Sequence, residues 1–340
     1  MTDTSRELMI KTLEFDGPDR IPLDLWVLPW ADKHYPGFIE NIRSQFPPDM
    51  VSAPSFLAEQ PKTVGDQYAI GTSIDEWGCI RENIHEGVIG EVKEPLIKDW
   101  KTDLDKVIPP YAWLTIDREK INAFCASTDK FVTGGVCPKP FEQMQYIRGS
   151  ENLYRDLAEQ PEELDILIQR MHQFYMQQME LWCQTDVDAV NLMDDWGAQR
   201  SLLISPRMWR KIFKPLYRDY CELAHSYGKY VFMHSDGYIA DIYPDLIEIG
   251  VNALNSQLFV MDIEELGKTY GGKITFWGEI DRQHLLPQGG VADIHAAVNR
   301  VFKACYHNGG VIGQCEFGPG AKAENALAVY QAWSQVQLTI

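Results

Sequence analysis

The amino-acid sequence predicts an α/β fold: a single (β/α)8 TIM barrel with an N-terminal extension. Three short apolar runs, at 230–233, 274–277 and 311–313, are rich in β-branched or aromatic residues and are each followed by polar residues. Runs of this kind are typical of buried parallel strands. Helical patterns separate them, which favours βαβ units and a parallel sheet. A chain of 340 residues suits one such barrel.

The N-terminal third contains few regular patterns. Residues 6–13 form a short amphipathic segment that precedes the Gly17-Pro18 turn, so a helix is predicted there. Residues 21–28 are predicted as the first strand. Residues 47–109 contain several prolines and mixed patterns, and we expect a β-rich excursion in this stretch before the barrel continues.

Strands and helices alternate from residue 131 onward. Strands are predicted at 131–135 and 187–193, and a long helix begins at Pro161 with apolar residues at three- and four-residue spacing. A helical region at 206–227 contains Pro215, which we expect to kink or split it. The remaining predicted elements are 230–233, 239–249, 251–254, 262–269, 273–277, 291–307, 310–313 and 322–335.

The chain has no internal repeat, low-complexity tract or linker that would mark a second domain. We therefore predict one barrel domain over residues 1–340. Within it, residues 1–110 include the N-terminal extension and the irregular excursion.

The charge and the cysteines exclude several classes of protein. The formal net charge is −18, and nucleic acid or an anionic membrane would require a basic face instead. A neutral or cationic substrate, or solubility alone, is compatible with this charge. Residues 1–7 lack the features of a signal peptide, and no apolar stretch approaches the roughly 18 residues that span a bilayer. The seven scattered cysteines form no CxxC pair, which favours a reducing cytoplasm.

A metal site is the first chemical hypothesis. His234 and Asp236 follow one predicted strand, Glu279 follows another, and Cys315 follows a third. Strand ends of an α/β barrel meet at one mouth, and an imidazole, a thiolate and carboxylates are ligands that zinc accepts. Simpler explanations remain open at this point. The histidine can act in acid–base or hydrogen-bonding roles, and the cysteine can be a small buried apolar residue.

Other polar and aromatic residues at strand ends are candidates for the same mouth. Of the adjacent Asp194 and Asp195, we expect one to be functional and one structural, since neighbouring side chains can point to opposite faces. Asn255, Ser256 and Gln257 are candidate hydrogen-bonding groups, with simple loop polarity as the alternative. The tryptophans near strand ends, Trp26, Trp30, Trp196 and Trp277, are candidates for an aromatic pocket, and we expect about half of them to be packing residues.

Several segments resemble the uroporphyrinogen decarboxylase superfamily. They are 15–22 (FDGPDRIP), 234–237 (HSDG), 278–281 (GEID) and 319–325 (PGAKAEN). The resemblance covers nearly the whole chain. It implies a (β/α)8 barrel, and the superfamily includes zinc-dependent methyltransferases that exchange methyl groups with corrinoid proteins.

The departures from the superfamily's patterns distinguish its branches. The decarboxylases carry an arginine-rich loop, RQxGRYLP, that clamps the substrate carboxylates, whereas residues 29–36 here are PWADKHYP, without arginine. The corrinoid-linked methyltransferases bind zinc through His-x-Cys and a distant Cys. His234 and Cys315 match this pattern, but Asp236 replaces the first cysteine and Glu279 replaces the asparagine of GNxxP.

The resemblance therefore implies a zinc site of His234, Glu279 and Cys315, with Asp236 as a further ligand or a neighbour of the ligands. Replacing sulfur by carboxylate gives a harder centre that suits an oxygen ligand. We expect a zinc-dependent O-demethylase that moves a methyl group from a methoxylated substrate to the cobalt(I) corrinoid of a partner protein. The tryptophans favour an aromatic substrate, and methanol or a methylamine stays open as an alternative methyl donor. Asp194, Asp195 or Asp236 would deliver the proton, and Trp30, Trp196, Asn255, Gln257 and Trp277 would contact substrate.

Three alternatives remain open from the sequence. The first is a metal-free decarboxylase of a smaller acid that uses His234 and Asp236. The second is a methyltransferase to a thiol or folate acceptor, which the absence of cysteine at 236 disfavours. The third is a non-catalytic small-molecule binder. The oligomeric state, including a homodimer, also stays open.

Overall fold

The structure is a computed structural model that describes residues 3–338. Its strands are β1 (Trp26–Val27), β2 (Met50–Ser52), β3 (Gly71–Ile74), β4 (Ile80–Asn83), β5 (Glu91–Glu94), β6 (Phe131–Thr133), β7 (Ala189–Met193), β8 (Tyr230–Ser235), β9 (Ala253–Ser256), β10 (Thr275–Trp277), β11 (Val311–Ile312) and β12 (Glu316–Phe317).

The helices of the described residues cover most of the connections between strands. They are α1 (Ser5–Glu14), α2 (Pro29–His34), α3 (Phe38–Gln45), α4 (Trp100–Asp103), α5 (Arg118–Ala126), α6 (Pro140–Arg148), α7 (Ser150–Glu159), α8 (Glu162–Cys183), α9 (Pro206–Ile212), α10 (Lys214–Ser226), α11 (Tyr243–Ile249), α12 (Ile263–Tyr270), α13 (Leu285–Gln288), α14 (Val291–Cys305) and α15 (Ala323–Ser334). Short 3-10 turns lie at 104–106, 111–114, 240–242 and 258–260. Within residues 3–338, no helix combines the length and apolar character needed to cross a membrane.

The predicted α/β barrel is confirmed. A parallel sheet of seven strands runs in the order β11-β10-β9-β8-β7-β6-β2. The segment 23–27 lies between the two edges of this sheet. The N–H of Asp49, just before β2, donates to the carbonyl of Leu23 (2.7 Å), Leu23 forms a parallel bridge with Gly313, and β1 pairs with β12. The first strand therefore bridges both edges, and the strands end together at one mouth.

Apolar side chains fill the barrel interior. A buried cluster contains the inward-facing residues Met50, Phe131, Ala189, Phe232, Ala253, Trp277 and Ile312 from successive strands. Met9 and Leu13 of α1 belong to the same cluster. Since Met50, Phe131 and Ala189 begin their strands, α1 packs against the end of the barrel opposite the mouth. The amphipathic N-terminal segment thus covers the floor of the barrel.

The β-rich excursion is present, but it begins later than the sequence predicts. Strands β3, β4 and β5 form a separate antiparallel sheet, whereas β2, which lies inside the predicted stretch 47–109, pairs in parallel with β6 as part of the barrel. Only three residues of β2 are paired, and a strand this short leaves a weak periodic pattern.

The helical region at 206–227 is divided into two helices. α9 ends at Ile212, and α10 begins at Lys214 with Pro215 in its first turn. Proline has no N–H to donate within a helix but is tolerated in the first turn. The predicted effect of Pro215 is therefore a split rather than a kink.

Asp49 joins the floor of the barrel to its walls. Its buried carboxylate accepts hydrogen bonds from Ser5 Oγ of α1 (2.6 Å), from two nitrogens of Arg20 (2.6 and 2.7 Å) and from the Leu23 N–H (2.8 Å). The Asp49 carbonyl accepts from the Phe131 N–H (3.0 Å). One residue thus connects α1, the first strand and β6.

We expect Asp49→Ala to lower the free energy of unfolding by about 2–3 kcal/mol, because it leaves the buried Leu23 N–H and the Ser5 hydroxyl without their acceptor. Urea unfolding followed by circular dichroism measures the change. Asp105→Ala is the control, since Asp105 is almost fully exposed and its removal should change stability by about 0.5 kcal/mol at most. Equal midpoints for the two variants would contradict the role of Asp49.

Candidate active site

The ends of β7, β8 and β9 place a polar cluster at the barrel mouth. These strands pair in parallel register, with Met193 opposite His234 and His234 opposite Asn255. Asp195 follows β7 by two residues, and Asp236 directly follows β8. The register therefore brings residues from three strand ends to the same level of the barrel.

His234 lies at the centre of this cluster. Its Nε2 is 3.4 Å from Asp195 Oδ1 and 3.6 Å from Asp236 Oδ1. Among the described residues, Asp195, His234 and Asp236 form a group of possible metal ligands whose donor atoms all lie within 4.8 Å of one another. An imidazole nitrogen and two carboxylate oxygens are a donor set that zinc accepts.

Asn255 orients His234. Its Nδ2 donates to the carbonyl of Trp277 (2.6 Å), so its Oδ1 faces His234 and accepts from Nδ1–H (2.7 Å). With the proton held on Nδ1, the neutral imidazole presents the lone pair of Nε2 to the two aspartates. This is the usual way a protein selects the tautomer of a metal-binding histidine. Asn255, a predicted substrate contact, thus positions the imidazole.

Two glycines allow the loops after β7 and β8 to touch. A Cβ atom on Gly237 (φ +76°) would lie 2.2 Å from the carbonyl oxygen of Gly197, and one on Gly197 would lie 2.4 Å from the Tyr238 nitrogen. The Gly197 N–H donates to the Asp236 carbonyl (3.0 Å), and the Asp236 N–H donates to Asp195 Oδ1 (3.0 Å). Close approach of the two backbones therefore fixes the spacing of the two carboxylates.

Arg282 is a central residue that the sequence analysis missed. Its guanidinium group donates to Asp236 and pairs with Glu316 Oε1 (2.5 Å) and Glu279 Oε2 (3.7 Å). It follows Glu279 by three residues, in the loop after β10. The only available signal was a basic residue close behind a run of strand-end carboxylates, and such a residue is usually a solvated surface charge.

Acidic groups outnumber basic groups around His234. Four carboxylates, those of Asp195, Asp236, Glu279 and Glu316, surround one guanidinium group and one imidazole. Asp236 Oδ1 and Glu279 Oε1 are buried, and neither accepts a hydrogen bond from the described residues. Buried oxygens with unused lone pairs and a local excess of negative charge favour binding of a cation.

The protonation states reflect this crowding. Burial opposes the charged form of His234, but the hydrogen bond to Asp195 and the nearby carboxylates outweigh it and raise the pKa of His234 to about 9. Burial raises the pKa of Glu279 to about 8, although Arg282 pulls it in the opposite direction. Without a bound cation, His234 is therefore an imidazolium that partly neutralises the aspartates. A metal ion at Nε2 would replace that proton.

A cavity of about 380 Å³ opens beside His234. Its aromatic wall consists of Trp26 and Trp277, whose rings stack at 5.8 Å, and Trp26 meets the His234 ring edge-on at 4.9 Å. The polar lining includes Asp24, Ser52, Thr133 and Asn191. Of the tryptophans predicted to line a pocket, Trp26 and Trp277 lie here.

Two of the metal ligands implied by the family resemblance lie outside the compact group. The Cys315 thiol is fully buried against Tyr330, with Sγ 3.7 Å from the hydroxyl, and burial raises its pKa to about 12. Glu279 pairs with Arg282. The described structure therefore groups His234 with Asp195 and Asp236, and a set of His234, Glu279 and Cys315 is not assembled in it.

Asp194 and Trp196 do not line the cavity. Asp194 is buried and accepts from the Phe141 and Glu142 N–H groups (2.9 and 2.7 Å) at the start of α6 and from Tyr217. Its carboxyl group thus caps the first turn of α6. Trp196 is completely buried and stacks on Phe141 at 4.3 Å. Both side chains hold α6 in place.

Trp30 and Gln257 are also placed outside the cavity lining. The Trp30 ring stacks on His34, with the ring centres 4.0 Å apart. The backbone N–H of Trp30 donates to the Gly87 carbonyl of the excursion (3.1 Å). Gln257 Oε1 accepts from the Gly237 N–H (3.0 Å) and lines a small neighbouring pocket beside Arg282. Gln257 therefore supports the loop that carries Asp236.

Comparisons with known proteins agree with this architecture. Residues 79–336 match the family described as Uroporphyrinogen decarboxylase (URO-D). A solved methyltransferase from Methanosarcina mazei is 16% identical, with a TM-score of 0.65 over 98% of this chain and 99% of that chain, which shows a shared fold. A D-psicose 3-epimerase from Clostridium cellulolyticum H10 is 14% identical, with a TM-score of 0.37 over 71% of this chain and 88% of that chain. Comparison with curated proteins gave no match.

We expect Gly237→Ala to destabilise the protein by at least about 3 kcal/mol, since the new methyl group would overlap the Gly197 backbone. Gly228→Ala is a matched control: its φ is +68°, but an added Cβ meets nothing within 4 Å. It should cost only about 1–2 kcal/mol, from the left-handed backbone conformation alone. Thermal unfolding measures both, and similar losses would show that loop contact is unimportant.

Proposed function

Because the chain belongs to the uroporphyrinogen decarboxylase family, we propose that it is a metal-dependent methyltransferase. It takes a methyl group from a small methoxylated, aromatic compound and passes it to the cobalt(I) corrinoid of a partner protein. The observation that carries this proposal is the Asp195–His234–Asp236 group beside an aromatic cavity. The shared fold with a protein described as a methyltransferase supports it.

The residues fit a zinc ion. His234 Nε2, Asp195 Oδ1 and Asp236 Oδ1 would hold it, and three protein ligands leave a position for substrate. Bound there, zinc would supply Lewis acidity toward the ether oxygen of the substrate. Asp236 Oδ1 is buried without a hydrogen bond from the described residues, which is the state expected of an oxygen that lacks its ligand.

The chain's own groups would orient the reactants and manage charge. Asn255 keeps the proton on His234 Nδ1, and Trp26 and Trp277 would pack against the substrate ring. The methyl–oxygen bond would break with its electron pair left on oxygen, the methyl group would be accepted by the electron pair of the cobalt(I) corrinoid, and the freed oxygen would take up a proton from water. Arg282 would offset the negative charge of the carboxylates throughout.

The cavity does not suit the polycarboxylate substrate of a tetrapyrrole decarboxylase. None of the described residues that line it is lysine or arginine, whereas binding of carboxylates usually relies on guanidinium groups. Arg282 lies nearby but is already paired with acidic residues. A neutral substrate is therefore favoured.

One observation favours a second candidate. His234 Nε2 and Asp195 Oδ1 already form an ion pair (3.4 Å), and the raised pKa of His234 keeps the imidazole charged. Such a pair can serve acid–base chemistry without metal. A metal-free decarboxylase of a small, singly charged acid is thus the alternative to be separated by experiment.

Zinc titration distinguishes the two possible ligand sets. We expect isothermal titration calorimetry with zinc alone to show one site in the wild type. Asp195→Asn and Asp236→Asn should each weaken binding by at least about tenfold, whereas Cys315→Ala should leave it unchanged. Both sets share His234, so His234→Ala serves as the positive control for loss.

The opposite pattern would reject the ligand assignment. If Cys315→Ala loses zinc while Asp195→Asn retains it, the metal is held by His234, Glu279 and Cys315. Folded wild-type protein that binds no zinc would reject the metal-dependent proposal altogether.

Methyl transfer can be tested with free cob(I)alamin in place of the partner protein. With 2-methoxyphenol as donor, we expect the zinc-loaded protein to accelerate loss of the cobalt(I) absorbance and to release catechol, and His234→Ala to abolish both. Release of carbon dioxide from a small acid by zinc-free protein, without cobalt consumption, would instead establish the decarboxylase.

A further inference from the structure

The charge of the residues that line the cavity restricts which substrates can bind more closely than the shape of the cavity does. Asp24 contributes a carboxylate to the lining, and none of the described lining residues is a lysine or arginine that would balance it. The one titratable basic group of the lining, His234, is already surrounded by the acidic cluster. A bound molecule therefore meets an unbalanced carboxylate at Asp24.

The nearest basic groups are already neutralised. Arg282 pairs with Asp236 and Glu316. Lys139, two residues beyond the lining residue Cys137, pairs with Glu142 (3.0 Å) and lies over the ring of Tyr146. Away from His234 and the metal ion proposed beside it, a substrate carboxylate would have to displace one of these internal carboxylates to find a cationic partner.

Asp24 is connected to His234 through the aromatic wall. Its Oδ2 accepts from Trp277 Nε1 (2.9 Å), Trp277 stacks on Trp26, and Trp26 contacts the His234 ring. An aromatic ring that packs on these tryptophans with its methoxy oxygen toward His234 would thus lie in the cavity that Asp24 also lines.

The rest of the polar lining is neutral. Ser52 and Thr133 have hydroxyl groups 3.1 Å apart, and Asn191 donates its amide to the Gly134 carbonyl (2.9 Å), which leaves its Oδ1 as an acceptor. These groups can exchange hydrogen bonds with a phenolic hydroxyl. They cannot neutralise a carboxylate.

We propose that the substrate is an uncharged methoxyphenol and that Asp24 is a specificity-determining residue that excludes methoxybenzoates. This inference rests on the proposed function and deepens it. The discrimination is electrostatic: a carboxylate on the substrate would be repelled by that of Asp24, and juxtaposed like charges disfavour the wrong ligand.

The test compares two ligands that differ only by a carboxylate. Isothermal titration calorimetry measures binding of 2-methoxyphenol and of 4-hydroxy-3-methoxybenzoate to the zinc-loaded full chain, without corrinoid. We expect 2-methoxyphenol to bind at least about tenfold more tightly. Tighter or equal binding of the benzoate would overturn the inference while leaving methyl transfer from an aromatic ether intact.

Variants assign the effect to Asp24. Asp24→Asn keeps the size of the side chain and should tighten benzoate binding by about tenfold, whereas Asp105→Asn removes the same charge from the exposed surface and should change nothing. If folded Asp24→Asn still binds 2-methoxyphenol more tightly than the benzoate by the same factor, the role of Asp24 is rejected. If that variant does not fold, Ser52→Lys replaces it in the test. This substitution adds a cation at an exposed lining residue of the cavity and should strengthen binding of 4-hydroxy-3-methoxybenzoate.

The remaining outcome is that neither ligand binds, which would overturn the methoxyphenol class. The proposed function would then be judged separately by the cob(I)alamin assay. Consumption of cobalt(I) with another methylated donor would preserve methyl transfer while rejecting this substrate, and no consumption with any donor would reject both.

Discussion

The imbalance of charge around His234 is the constraint on which the rest of the site depends. Four carboxylates converge on one imidazole and one guanidinium group, and two of their buried oxygens accept no hydrogen bond from the described residues. Burial of uncompensated charge is costly. The protein partly relieves it by raising the pKa values of His234 and Glu279. The same imbalance favours a metal cation at one end of the cavity and disfavours an anionic substrate at the other.

The fold maintains this unfavourable arrangement through backbone contacts. The parallel register of β7, β8 and β9 brings Asp195, His234 and Asn255 to one level, and the contact between Gly197 and Gly237 sets the distance between the two aspartates. At the opposite end, α1 covers the floor and Asp49 joins it to the walls. Repulsion within the mouth is thus opposed by a rigid barrel, as expected where function requires like charges to lie close together.

Much of the barrel could be predicted from the sequence because its strands and helices are locally patterned. The runs before His234 and Glu279 become β8 and β10, and the apolar stripe after Pro161 becomes α8. β2 was missed, since its pairing with β6 depends on residues far apart in the chain. Within the site, Asp195 and Asp194 are indistinguishable by sequence. Only their surroundings in the structure show that Asp194 caps α6 and that Asp195 faces His234.

By itself, the sequence determined the α/β class and the polar residues that follow its strands, His234 among them, because hydrophobic periodicity and strand-end polarity are local properties of the chain. Only the tertiary structure decided which side chains share a site. Cys315 and His234 both follow predicted strands of the barrel, yet the thiol turns toward Tyr330 while Asp195 and Asp236 lie beside the imidazole. Arg282 gains its importance solely from the three carboxylates that the barrel brings around it. Such convergence depends on distances between strand ends, which no local pattern encodes.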